Sequence, residues 1–119
     1  YLDKPYRDGG SADNSYETHA VTQVQVRGTL NDPSDEDMGW TCAIAFPWDC
    51  FEEQGGMKCP PNLGDVWRVN FSRVEWDVEV LEGSYRKIPN RPEHNWVWSP
   101  QGMIDMHQPE HWGFVHFVE

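Results

Sequence analysis

Two-residue alternation of apolar and polar side chains is the dominant pattern along this chain. Thr22-Gln23-Val24-Gln25-Val26-Arg27 places Val24 and Val26 on one face and predicts a half-buried strand. Trp40, Cys42, Ile44 and Phe46 share the next apolar face, opposite Thr41, Ala43 and Ala45, until Pro47, which has no N–H, ends the ladder. A third strand over 66–74 sets Trp67, Val69 and Phe71 against Arg68, Asn70 and Ser72. Residues 77–82 read as its continuation or its hairpin partner, 96–99 and 113–118 as the last two strands, and 1–6 as a strand end. Residues 7–20 are polar and turn-rich and predict a flexible loop; 31–37 form an acidic turn around Asp32-Pro33, and 84–95 an irregular basic loop with Pro89 and Pro92. Residues 47–53 suit one helical turn, with Pro47 near its start and Gly55-Gly56 as terminator. Heptads, internal repeats and a long 3.6-residue period are absent. Short strands between turn signals predict one all-β domain over 1–119, an antiparallel β-sandwich.

Composition narrows what such a domain does. The net charge of -11, from 20 acidic and 9 basic residues, argues against nucleic acid and anionic membranes, which need clustered Lys and Arg. No apolar run is long enough for membrane insertion. Five of the seven tryptophans (Trp67, Trp76, Trp96, Trp98 and Trp112) fall in the second half, and indoles at this density need a core to bury them or a ligand to stack on them. Cys50 and Cys59 flank a turn-rich segment and can close a short disulfide loop in an oxidising compartment, whereas Cys42, on the apolar strand face, reads as a buried free thiol. A nucleophile elbow, a phosphate loop and a dinucleotide fingerprint are all missing, so the chain reads as non-catalytic.

Trp96 and Trp98 lie two apart and on a strand share a face, which is a platform for a pyranose ring if open and core if closed. Trp40, Trp67 and Trp112 read as core. The row Arg68, Asn70, Ser72 offers guanidinium and amide donors to ligand hydroxyls, or is a solvated strand face. Arg73 falls on the Trp67 face and needs a carboxylate such as Glu75 or Asp105. His94, His107, His111 and His116 raise a metal reading, but Pro109 disfavours a helix that would align His107 with His111. The acidic turn can offer oxygens to calcium, without the EF-hand spacing or its glycine; a solvated loop is the plainer reading.

Three segments carry a family resemblance: Gly64-Asp65-Val66-Trp67-Arg68-Val69-Asn70-Phe71-Ser72-Arg73, then Trp98-Ser99-Pro100, then Pro109-Glu110-His111-Trp112-Gly113-Phe114-Val115-His116-Phe117. Upstream, Gly28-Thr29-Leu30-Asn31-Asp32 and Gly39 to Trp48 follow the same order. Together they resemble the C-terminal part of the family-nine-like carbohydrate-binding modules of secreted bacterial proteins. The resemblance implies an incomplete β-sandwich lacking the family's N-terminal half, an extracellular setting, and binding of oligo- or polysaccharide without chemistry. It also allows a structural calcium ion. In sugar-binding members the ligand lies between two tryptophans; one belongs to the missing half, and the other stands where this chain has Met106. The expected binding residues are therefore Trp96, Trp98, Met106, Arg68 and Asn70. The alternative is a structural module in a larger extracellular complex, its open strands and apolar face covered by a neighbouring protein chain. A haem role, which distantly similar sandwiches have, is less favoured, since adjacent Met106 and His107 on a strand point to opposite faces.

Overall fold

A computed structural model describes residues 1–119, the side chains of Glu53 and Gln54 excepted. The protein is all-β: eight short strands form four two-stranded sheets, with one short helix. They are β1 (Val21–Arg27), β2 (Gly39–Ala45), α1 (Asp49–Gly55), β3 (Val66–Val69), β4 (Ser72–Glu75), β5 (Val78–Leu81), β6 (Ser84–Lys87), β7 (His94–Val97) and β8 (Gly113–His116). The pairs are β1 with β2, β3 with β8, β4 with β7 and β5 with β6; among the described residues no sheet exceeds two strands. The chain groups into two compact units: Tyr1–Ala20, Phe46–Ser72 and Val97–Glu119 in the first, Val21–Ala45 and Arg73–Trp96 in the second.

The first unit contains β3 and β8, where alternation and burial agree. Trp67 lies opposite Val115 and Val69 opposite Gly113 on a half-buried face; Arg68 lies opposite Phe114 on the exposed one. Trp67 is the centre of an aromatic cluster, with ring centroids 6.0 Å from Trp48, 5.1 Å from Phe51 and 5.1 Å from Phe117. Residues 47–48 and α1 present two of those rings. The helix stops as its sequence predicts: Gly56 takes the left-handed conformation (φ 59°) and donates its N–H to the Phe51 carbonyl. Residues 7–20 carry no strand. Tyr6–Asp8 is a 3-10 turn, and the Asp13 N–H reaches the Tyr1 carbonyl at 2.7 Å.

The predicted strand over 66–74 is broken. Asn70 Oδ1 captures the Phe71 N–H and also the Ser99 N–H, both at 2.9 Å, so the ladder ends at Val69 and restarts at Ser72 with another partner. The Phe71 carbonyl accepts from the Trp98 N–H instead.

In the second unit β5 and β6 form a hairpin inside a stretch expected as half strand, half loop. Leu81 pairs with Ser84 across Glu82-Gly83, both at positive φ (52° and 75°), which is the geometry of a two-residue primed turn. β1 and β2 pair in full register from Val21↔Ala45 to Arg27↔Gly39. The predicted faces form, Thr22, Val24, Val26, Trp40, Cys42 and Ile44 on one side, but all of them except the half-buried Val26 are exposed. Trp40 is 51% exposed and Cys42 is exposed, which corrects both as core residues. A strand paired along one edge gains ladder bonds but hides little side-chain surface.

Among the described residues no hydrophobic side chain is fully buried, and the accessible surface is 9507 Å². Two closed domains of these sizes would together expose about 8,000 Å². Roughly 1,500 Å² that closed domains would hide is therefore open to solvent.

Candidate functional site

The motif-rich second half is organised by polar side chains that bind backbone. Asn70 is the first. Besides its Oδ1 contacts, its Nδ2 donates to the Ser99 carbonyl at 2.9 Å, so one amide holds both backbone groups of Ser99. The Ser99 hydroxyl donates to the His111 carbonyl at 2.8 Å. Arg68 is the second: its guanidinium donates to the carbonyls of Glu110 (2.8 Å), Trp112 (3.3 Å) and Pro109 (3.4 Å) and lies 4.3 Å from the Phe114 ring centre. The Trp-Arg-x-Asn segment thus staples the Trp-Ser-Pro turn and the closing turn to one strand.

These staples set the pose of Trp98. Its neighbour Ser99 is fixed from Asn70, its own N–H is held by Phe71, and its ring meets Phe71 edge-on at 5.9 Å. A Cβ at position 113 would overlap the Trp98 ring, so Gly113 is a spatial requirement. The indole is nonetheless 56% exposed. β7 ends at Val97, so Trp98 stands just beyond the strand while Trp96, 61% exposed, stands on it. The two belong to different units, so the structure does not place them on one platform.

Met106 lies in a third polar knot. Its carbonyl accepts the Trp112 indole N–H at 3.0 Å, and its sulfur is 3.6 Å from the Gln101 Nε2 donor. Gln101 also takes the Trp112 N–H on Oε1 and donates to the Asp105 carbonyl. Gln101 and Gln108 are the only buried polar side chains among the described residues. Gln108 donates to Asp105 at 2.6 Å and accepts from Arg7, whose guanidinium also binds both Glu110 oxygens at 2.8 Å. Trp112, expected as core, is half-buried with its N–H fully used. Sequence reading missed Arg7, Gln101 and Gln108, since isolated glutamines and a loop arginine have no periodic signature, and it named Asp105 only as a candidate partner of Arg73.

Electrostatics follow the hydrogen bonds. The backbone N–H of His107, then the Gln108 amide, hold the Asp105 carboxyl below the usual carboxylate range; Arg7 does so for Glu110. In the second unit His94 and then Arg91 lower Asp77. Arg73 pairs with Glu75 on its own exposed strand, not with Asp105. His107 is 3.0 Å from Asp105 and edge-on to Tyr6 at 4.6 Å, while Pro109–His111 is a 3-10 turn. No three His, Cys, Asp or Glu side chains converge among the described residues. In the acidic turn Asp35 and Asp37 accept from Thr29 and Asp32 from Ser34, so these carboxylates serve the turn itself. Gln23, Gln25, Thr41, Cys42 and Ala43 line a shallow open depression of about 190 Å³ on β1 and β2.

Cys50, on α1, and Cys59, beyond it, are half-buried free thiols, not a disulfide. Partial burial first, then Asp49 for Cys50 and Glu52 and Cys50 for Cys59, push both thiols above their ordinary range.

No protein-family model, curated protein or solved structure matches the chain.

Proposed function

We propose that the chain is a non-catalytic, extracellular carbohydrate-binding module that takes an oligo- or polysaccharide by stacking a sugar ring on Trp98. The observation that carries this reading is the combination of bracing and exposure at Trp98: the backbone on both sides is held, one edge rests on Phe71, and over half the residue is open. A rigid exposed indole loses little entropy when a pyranose face covers it. Arg68 and Asn70 support this ledge and do not grip hydroxyls. Trp96 is a second stacking position on the other unit. One stacked ring with a few hydrogen bonds supplies about 4–6 kcal/mol, a Kd of roughly 0.05–1 mM. Calorimetry with a panel of oligosaccharides at millimolar concentration tests it. One or more should bind, and Trp98→Ala should weaken binding at least about tenfold, the loss of one stacking contact, with unchanged circular dichroism. No binding by the intact chain, or undiminished binding by the variant, would refute the reading.

The uncovered β1–β2 face and the roughly 1,500 Å² of open surface favour a second reading: a structural module completed by another polypeptide.

A further inference from the structure

We propose that Asn70-Phe71-Ser72 is an N-glycan acceptor that is open only before the chain folds, so that a glycan on Asn70 and the braced Trp98 exclude each other. The inference rests on the extracellular setting proposed above and not on sugar binding.

The acceptor is written in the sequence. Glycan transfer to asparagine requires Asn-x-Ser/Thr with x other than proline, and of the six asparagines only Asn70 has a serine or threonine two residues on. Phe71 and Ser72 are exposed. The amide between them and the fold is not free: Asn70 is half-buried, its Nδ2 donates to the Ser99 carbonyl, and its Oδ1 accepts the N–H groups of Phe71 and Ser99, all at 2.9 Å.

A two-point contact with the N–H and C=O of one residue uses Oδ1 and the Nδ2 hydrogen on the same side of the planar amide. In the unstrained trans glycosyl amide the sugar carbon takes that hydrogen's place. A glycan on Asn70 therefore removes the donor to the Ser99 carbonyl and sets a sugar ring against the Ser99 backbone. Ser99 adjoins Trp98, and its hydroxyl holds the His111 carbonyl at 2.8 Å, so the modification unfastens the turn that poses the indole.

In the transfer, Nδ2 attacks the anomeric carbon of an oligosaccharide carried on a lipid pyrophosphate. The bond from that carbon to the pyrophosphate oxygen breaks, the carbon–Nδ2 bond forms, the lipid pyrophosphate leaves with the electron pair, and Nδ2 gives up one proton to solvent. The folded chain frees Nδ2 only by opening the Ser99 contact. The growing chain offers it earlier, because Ser99 lies 29 residues downstream and follows about 1.5–6 s later in synthesis.

The test is translation of the full chain into microsomes, set against incubation of the purified folded chain with detergent-solubilised transferase and its lipid-linked donor. The nascent chain should gain an endoglycosidase-sensitive mass at Asn70. The folded chain should be modified at least about tenfold more slowly than a short acceptor peptide in the same mixture, since opening must precede transfer. Ser72→Ala, which leaves the three Asn70 contacts in place, should abolish the modification, and Ser72→Thr should restore it. Secreted from glycosylating cells, the modified fraction should melt several degrees below the unmodified one. A nascent chain left unmodified, a folded chain modified as fast as the peptide, modification that survives Ser72→Ala, or a glycosylated fraction that melts no lower would each overturn the proposal.

Discussion

Asn70 decides between two uses of the same amide: holding backbone, or gripping a sugar. Asn70→Ala removes three hydrogen bonds of 2.9 Å, two to Ser99 and one to Phe71. Two are partly buried and one is exposed, so the loss is about 2 kcal/mol, within a range of roughly 1.5–3. For a chain of this size that lowers the thermal midpoint by about 8 °C and the urea midpoint by about 1 M. Asn70→Asp refines the test. The carboxylate keeps both acceptor contacts but turns an oxygen toward the Ser99 carbonyl where Nδ2 had donated. Its protonated form can donate there again, whereas its ionised form accepts the two backbone N–H groups more strongly, so the pH dependence of this variant's midpoint reads which contact dominates. Urea titrations of both variants at neutral and acid pH, followed by circular dichroism, read this out, and calorimetry with any oligosaccharide ligand reads the other use. Wild-type midpoints for both variants would refute the backbone role. A tenfold loss of sugar affinity in Asn70→Ala at an unchanged midpoint would make it a ligand contact.

Acid should weaken the fold through carboxylates whose pKa folding lowers. Asp105 (bound by the His107 N–H, then Gln108), Glu110 (by Arg7) and Asp77 (by His94, then Arg91) stabilise fully above their ordinary values, 3.8 for Asp and 4.5 for Glu, and that stabilisation is lost as the pH falls through the lowered ones. The urea midpoint should therefore be level near neutrality and fall from about pH 4.5 downward, and a level profile to about pH 3 would contradict the hydrogen bonds assigned here. For the structural-module reading, sedimentation velocity across a dilution series should show association, and an apolar dye should bind the dissociated chain. A monomer that binds no dye would count against it.

What the sequence revealed depended on the range of the interaction. The alternation of Trp67 and Val69 with Arg68 was legible because β3 and β8 have one half-buried face, and the end of α1 was legible because Gly56 is a local signal. The break at Asn70 was not, since it requires Ser99, 29 residues away. The β5–β6 hairpin hid behind a loop assignment although Glu82-Gly83, flanked by Val80 and Tyr85, is a readable two-residue turn. Burial of Trp40, Cys42 and Ile44 was expected from their shared face. Periodicity says which side chains lie together, but only a covering layer buries them, and β1 pairs only with β2. Among the binding residues expected, Trp98 and Trp96 are exposed, whereas Arg68, Asn70 and Met106 are engaged with the chain's own backbone and side chains.

That division of labour bears on how an exposed indole keeps a single pose. A core tryptophan is fixed by the free energy of its own burial, about 1.5–3 kcal/mol for a large side chain, and covering it with a ligand then gains nothing further. Trp98 is fixed from outside itself, by the Asn70 amide on Ser99, the Phe71 carbonyl on its N–H and the absence of a Cβ at Gly113. Most of its apolar face is left to be covered by whatever binds. The burial free energy withheld in folding is the free energy available to a stacking partner, and it bounds that contact to a few kcal/mol. Tight binding through Trp98 alone is thereby excluded. An affinity beyond the micromolar range would require further contacts from a partner large enough to reach the uncovered strand faces.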